Sequence, residues 1–165
     1  MEIEDVARKL KGNFPLYSKN LLRIVTKEGE SKPFVLNAAQ LYVHNMLEKQ
    51  LKDQGNIRAL VLKARQTGIS TYTQGRNFWK VTQNRNANAF VLSHLAESTN
   101  AIFNMVRHFY DNVPHPAFKP PLASQSASTL VFDEINSRYR VGTARSTQTG
   151  RGQTNRFVHG SEVAF

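Results

Sequence analysis

Ile57-Arg58-Ala59-Leu60-Val61-Leu62-Lys63-Ala64-Arg65-Gln66-Thr67-Gly68-Ile69-Ser70-Thr71 is the stretch on which the reading of this 165-residue chain turns. Ile57 to Lys63 is short and rich in aliphatic and β-branched side chains, which suits a strand buried in a sheet. Ala64 to Gly68 reads as a turn, and a helix is expected from Ser70 to about Gln83. A turn between a strand and a helix is where phosphate-binding loops form. Backbone N–H groups of the turn and of the helix start point at the anion, and the helix dipole favours negative charge there. The standard pattern, G-x-x-x-x-G-K-[ST], is half kept. Gly68 fills the second glycine position and Ser70 the hydroxyl position, but Lys63 stands in place of the first glycine and Ile69 in place of the lysine. A lysine on the last strand residue would extend over the loop and supply the charge that Ile69 cannot. The Ser70 hydroxyl would ligate Mg²⁺ with Thr71 beside it, and Arg65 would add a second cation. The same residues also fit an ordinary strand–turn–helix with a glycine in its turn.

Working outward, residues 2–10 are expected to form a short helix, and 11–36 to be irregular, with Gly12, Pro15, Gly29 and Pro33 as breakers. Asn37 reads as a helix N-cap with Gln40 completing a capping box. That helix runs to about Asp53, with Ala39, Val43, Met46 and Leu47 at helical spacing, and ends at Gly55. Downstream, Asn88 to Ser93 reads as a strand and Ala96 to Tyr110 as a helix with Ile102, Val106 and Phe109 on one face. A proline-rich connection, 112–126, leads to a hairpin of Thr129–Asp133 and Ser137–Val141 around Glu134-Ile135-Asn136. Its second arm alternates, with Arg138 and Arg140 on one face and Tyr139 and Val141 on the other. A last strand covers about Arg156–Gly160. Strand, loop, helix, strand, helix is the order of an α/β fold with a parallel sheet covered on both faces.

The net charge of +10 and pI near 10.2 favour a polyanionic partner such as nucleic acid. Of the 22 basic residues 14 fall in the first 80, where they face 7 acids, so charge alone locates no surface. There is no cysteine, hence no disulfide and no thiolate metal site. His44, His94, His108, His115 and His159 lack metal-ligand spacing. No run approaches the roughly 18 uncharged apolar residues of a membrane span. Met1 to Lys11 carries acids among its apolar residues and is not read as a signal peptide.

The run Lys63 to Thr71 resembles the deviant phosphate loop of the large terminase subunit of tailed bacteriophages, a family in which the lysine is often moved to the front of the motif. Two further segments match in order. Pro33-Phe34-Val35-Leu36-Asn37-Ala38-Ala39-Gln40 is similar to the family's adenine-recognition segment. Thr149-Gly150-Arg151-Gly152-Gln153-Thr154, followed by Phe157-Val158-His159-Gly160-Ser161-Glu162-Val163-Ala164-Phe165, is similar to its Walker B region. The matches span Pro33 to the last residue. The resemblance implies a P-loop NTPase fold of the ASCE type, a three-layer αβα domain with a mainly parallel sheet, incomplete at its C-terminus. Residues 1–36 would be a lead-in and 37–165 a partial ATPase domain, without the family's C-terminal nuclease domain.

The implied activity is ATP hydrolysis with Mg²⁺, driving duplex DNA into procapsids. ATP would be held by Gln40, Lys63, Arg65, Gln66, Thr67, Gly68, Ile69, Ser70 and Thr71. Gln40 would read the adenine edge, a role compatible with its capping one, and Phe34 would stack on the base or pack in the core. The family's acid pair falls on Ser161 and Glu162. Ser161 would join Ser70 at Mg²⁺ through its hydroxyl or a water, and Glu162 would polarise the attacking water. Arg65 and Arg151 would neutralise γ-phosphate charge. Leu130-Val131-Phe132-Asp133-Glu134 lies closer to the Walker B consensus, but its acids are expected in the hairpin turn. Implied partners are duplex DNA, a portal protein, the small terminase subunit and a homo-oligomeric ring, with no membrane. The implied location is the cytoplasm of an infected or lysogenic bacterial host, outside the mature virion. Two other readings stand beside this one: a nucleotide- or DNA-binding remnant without turnover, and a helicase-like ATPase using Asp133 and Glu134. A last strand without later neighbours would leave an open edge, predicting weak turnover and self-association.

Overall fold

The computed structural model describes residues 3–144 and 154–162. Its centre is the helix α4, Ile69–Thr82, numbered here after α1, Ile3–Gly12, α2, Phe14–Leu21, and α3, Ala38–Gln54. Nearly every residue of α4 from Tyr72 onward is buried, polar ones included. A helix apolar on one stripe only would sit at a surface; one buried all round needs partners for its polar side chains. Tyr17 of α2 meets the Thr82 hydroxyl at 3.2 Å, and Trp79 Nε1 donates to the Leu10 carbonyl of α1 at 3.1 Å. The Arg76 guanidinium pairs with Glu48 of α3.

Residues 11–36, expected to be irregular, instead form α2 and a small antiparallel hairpin, β1, Arg23–Val25, with β2, Ser31–Pro33. Pro15 starts α2 rather than breaking it. Asn13 is the N-cap, its side chain accepting from Leu16 N–H at 2.9 Å, and a proline in the first turn forfeits no hydrogen bond. Phe14, Tyr17, Leu21, Leu22 and Phe34 from this region join the main core. There the Phe34 ring lies parallel to Phe109, 6.2 Å between centroids.

The sheet has five strands in the order β4-β5-β6-β3-β7. They are β3, Asn88–Ser93, β4, Ser124–Gln125, β5, Thr129–Phe132, β6, Ser137–Thr143, and β7, Phe157–Gly160. β3 is parallel to both β6 and β7, whereas β4–β5 and β5–β6 are antiparallel. The hairpin is as expected, with Asn136 left-handed at its turn (φ 49°) and Tyr139 and Val141 buried.

Register puts Ala89, Val91, Leu130, Phe132, Tyr139, Val141 and His159 on one face. Both α4 and the next helix, α5, Ala96–Asp111, pack there. Gln74 of α4 bonds to Tyr139, Thr99 of α5 meets Thr143 at 3.1 Å, and Tyr110 of α5 lies 5.7 Å from the Phe132 ring.

These observations correct the expected fold. The three-layer P-loop NTPase arrangement is not what the chain forms. The sheet is mixed rather than mainly parallel, and α4 and α5 share one face instead of covering two. Above all, Ile57 to Lys63 is not a strand. Its run is extended but joins no sheet, with Leu60 and Leu62 fully in solvent at 94% and 103% exposure. Among the described residues, its hydrogen bonds to the rest of the protein are those between the Gln50 side chain and the N–H and carbonyl of Arg58, both at 3.1 Å. The expected crossover from 57–63 through α4 to β3 is therefore absent, and the parallel connection runs instead from β3 through α5 to β6. β-propensity describes what a residue tolerates in a sheet; a strand exists only where a neighbour takes its backbone hydrogen bonds.

Gly75 lets α4 pack tightly against α2 and the end of β2. A Cβ there would meet Phe34 Cε1 at 3.0 Å, Leu22 Cδ1 at 3.3 Å and Phe14 Cζ at 3.4 Å. Gly75→Leu should overpack this junction and cost about 1–3 kcal/mol, read as a lower urea midpoint. An unchanged midpoint would mean that α2 and the hairpin are not held against α4.

Candidate functional site

α4 begins at Gly68, left-handed at φ 75°, with no side chain capping its first turn. The first intrahelical bond is Tyr72 N–H to the Gly68 carbonyl at 3.0 Å, so the N–H groups of Ile69, Ser70 and Thr71 open outward at the positive end of the helix. Residues 65–68 form the turn, Gln66 being left-handed as well (φ 61°).

This turn is clamped from behind by the start of α3. The Asn37–Gln40 capping box is present as expected, each side chain bonded to the other's backbone N–H at 2.9 Å. The leftover donors of both amides then reach across. Gln40 Nε2 donates to the Gly68 carbonyl at 2.7 Å and Asn37 Nδ2 to the Thr67 carbonyl at 3.2 Å. A Cβ on Gly68 would sit 2.6 Å from Gln40 Nε2, so glycine is needed both for its dihedral and for that approach. Lys27 Nζ donates to Gln66 Oε1 at 2.8 Å, and Thr67 Oγ1 to the Ala64 carbonyl at 3.3 Å.

The expected site residues are distributed as follows. Lys63, Arg65 and Gln66 are exposed, Thr67, Ser70 and Thr71 are half-buried, and Ile69 is buried. Gln40 is 4% exposed and committed to the cap and the clamp. Phe34 is a core residue. Arg151 lies outside the described residues, as do Thr149, Gly150, Gly152, Gln153, Val163, Ala164 and Phe165.

Ser161 and Glu162 follow β7 directly. The Ser161 N–H donates to the Leu92 carbonyl at 2.8 Å; Glu162 is left-handed at φ 58°, and its Oε2 lies 3.1 Å from His94 Nδ1. The decoy acids lie at the other end of the sheet. Asp133 and Glu134 form the hairpin turn before β6, where Asn86 N–H bonds the Ile135 carbonyl at 3.0 Å and Ser137 Oγ bonds the Asn84 carbonyl at 2.9 Å. Residues 84–86 follow the C-terminus of α4, so its N-terminus lies towards the carboxyl ends of β3 and β7, the end where Glu162 sits. Open α/β sheets hold their ligands at that end.

A buried polar chain joins α4 to both neighbours of β3. The Tyr139 hydroxyl donates to Gln74 Oε1, which turns the Gln74 amide nitrogen onto His159 Nδ1 at 3.0 Å. His159 therefore accepts at Nδ1 and carries its proton on Nε2. Burial, and then the Lys63 charge, push His159 down to about 4. Gln74, Tyr139, His94, His159 and the clamp from Asn37 were not anticipated from the sequence. The one available signal for His159 was its period-two spacing from Ser161 along the strand.

No group of three or more His, Asp or Glu side chains among the described residues could hold a metal ion. Ser70 lies in the first turn of α4 and Ser161 directly after β7; a Mg²⁺ keeps several waters and takes few protein ligands when it arrives with phosphate. No helix among the described residues is long and apolar enough to cross a membrane. No protein-family model and no curated protein matches the chain.

The histidines make stability pH-dependent with a definite sign. Desolvation lowers both His159 and His44 in the fold. The unfolded chain thus binds protons that the fold refuses, and the stability present above the unfolded value near 6.5 is lost as pH falls towards 4. For His159 the loss is at most about 3 kcal/mol. Urea midpoints compared at about pH 7 and about pH 4.5 should fall with acid, and less steeply in His159→Gln. An identical slope in the variant would remove His159 from the buried chain.

Proposed function

We propose that the chain binds ATP with its phosphates over the Lys63–Thr71 turn and hydrolyses it with Glu162. By its resemblance it is the ATPase portion of a phage DNA-packaging terminase, acting on duplex DNA in the cytoplasm of the bacterial host. The observation that carries this reading is the uncapped start of α4 at a left-handed Gly68, clamped by Gln40 and Asn37 and facing the end of the sheet where Glu162 lies. A backbone cradle held from behind binds anions without reorganising, which is the condition for electrostatic stabilisation of phosphoryl transfer.

In this reading Ile69, Ser70 and Thr71 present their N–H groups to the phosphates. Lys63 and Arg65, both exposed on the turn, close over them as cations. Ser70 and Ser161 offer hydroxyl ligands to Mg²⁺, which when bound neutralises phosphate charge. Glu162 takes the proton side of the attacking water, and His94 at 3.1 Å orients its carboxylate. Arg151 is the further cation that the resemblance supplies.

Binding without turnover is the second reading, and the unpaired 57–63 run favours it. Lys63 is carried on an exposed run outside the sheet rather than at the end of a strand, which weakens preorganisation of its ammonium.

Calorimetry with ATP and Mg²⁺, run alongside phosphate release, tests both readings. Lys63→Ala should weaken ATP binding about 10- to 100-fold, the worth of one charge-assisted contact. Glu162→Gln should keep binding and lower turnover by about 100-fold, with Glu134→Gln unaffected. The proposal fails if Lys63→Ala binds as the parent does, or if turnover depends on Glu134 instead.

A further inference from the structure

The tip of the β1–β2 hairpin rests on the turn that precedes α4. That tip is well defined. Thr26 N–H donates to the Glu30 carbonyl at 2.8 Å, Gly29 N–H donates to the Thr26 carbonyl at 3.1 Å, and Gly29 is left-handed at φ 85°. Lys27 stands there, exposed, with Glu28 and Glu30 close by along the chain. Among the described residues it forms an ion pair with neither. Its ammonium donates instead to Gln66 Oε1 at 2.8 Å, a neutral amide 39 positions away. Gln66 is left-handed at φ 61°, a conformation that crowds a Cβ against the following carbonyl. A residue other than glycine stays in such a conformation only when its surroundings hold it there.

We infer that Lys27 is a positioning residue for the triphosphate, a deepening that rests on the function proposed above. Acting through the Gln66 side chain, it keeps the turn in the shape that presents the Ile69, Ser70 and Thr71 N–H groups. The hairpin can do this because its base is fixed. Phe34 N–H donates to the Leu22 carbonyl at 2.9 Å, both side chains are buried, and both pack at Gly75 of α4.

One continuous segment, 22–40, therefore meets the turn twice. Lys27 takes the Gln66 side chain, while Asn37 and Gln40 take the Thr67 and Gly68 carbonyls. The clamp fixes the second half of the turn and Lys27 the first. Lys27 differs in this from Lys63 and Arg65, whose proposed role is direct contact with phosphate. A glycine at position 66 would take the same dihedral without strain, but would give the hairpin no side chain to hold.

Calorimetry with ATP and Mg²⁺, and separately with inorganic tripolyphosphate, tests this in a double-mutant cycle of Lys27→Ala and Gln66→Gly. Lys27→Ala should weaken both ligands about three- to tenfold, the worth of one hydrogen bond, with the urea midpoint unchanged. Lys27→Arg keeps a charged donor and should bind within about twofold of the parent. Gln66→Gly should bind within about threefold of the parent, because glycine adopts the left-handed conformation unaided. In that background Lys27→Ala should change nothing further. Equal affinities in Lys27→Ala and the parent overturn the inference. An undiminished effect of Lys27→Ala in the Gln66→Gly chain also overturns it, since Lys27 would then meet phosphate directly. So does a loss of affinity that comes with a lower urea midpoint, since the hairpin would then serve the fold alone. In each of these cases the unaltered chain still binds ATP, and the function proposed above survives. If neither ligand binds the unaltered chain, the phosphate turn itself fails, and the inference falls with it.

Discussion

α4 is buried on every side, and that constraint orders the rest of the molecule. An interior helix cannot leave Gln74, Arg76 and Thr82 unpaired, because each buried polar group without a partner costs about 1–3 kcal/mol. Each of these side chains therefore recruits a neighbour. Gln74 reaches the sheet through Tyr139 and His159, Arg76 reaches α3 through Glu48, and Thr82 reaches α2 through Tyr17. The core aromatics then fill the space between these anchors. Phe14 lies 5.4 Å from Trp79 and 5.6 Å from Tyr72, and Phe78 lies 6.1 Å from Phe109. Polar pairs specify where α4 sits, and apolar burial supplies most of the energy that holds it there.

The candidate site follows from the same helix. Because the far end of α4 is locked to the hairpin turn by Asn84, Asn86, Ser137 and Ile135, its near end has one place to be, beside the carboxyl ends of β3 and β7. The capping box of α3 then does two jobs with two amides. Each satisfies its own helix end with one atom and holds the 67–68 carbonyls with another. The turn is rigid from behind and open in front, which is the geometry an anion needs. Gln40 is the instructive residue. In the fold its amide serves the cap through Oε1 and clamps the Gly68 carbonyl through Nε2.

Much of the local structure was legible because its signals are short-range. Asn37 with Gln40, Gly55 in the left-handed conformation at φ 72°, the helical spacing of α5 and the alternation of β6 all depend on residues within a few positions of one another. Pro15 misled for the same reason: as a local symbol it marks a break or a first turn, and the Asn13 cap decides which. The 57–63 run misled for a different reason. Its composition is that of a buried strand, yet among the described residues no strand pairs with it, only Arg58 has its backbone groups taken, by the Gln50 side chain, and Leu60 and Leu62 stay in water. The expected three-layer architecture needed that pairing, a mainly parallel sheet and helices on both faces, and the fold has none of the three.

The sequence by itself determined α1, α3, α4 and α5, the β5–β6 hairpin, the turn at Gly68 and the strand that leads to Glu162, since propensity, capping and alternation act between near neighbours along the chain. Tertiary structure alone decided which extended segments became strands, that both sheet-covering helices share one face, that His159 is a neutral acceptor beneath Gln74, and that Asp133 and Glu134 lie at the wrong end for the α4 turn. Those outcomes depend on hydrogen bonds and burial between residues 44 to 85 positions apart, and no local pattern encodes whether a partner at that distance will be present to complete them.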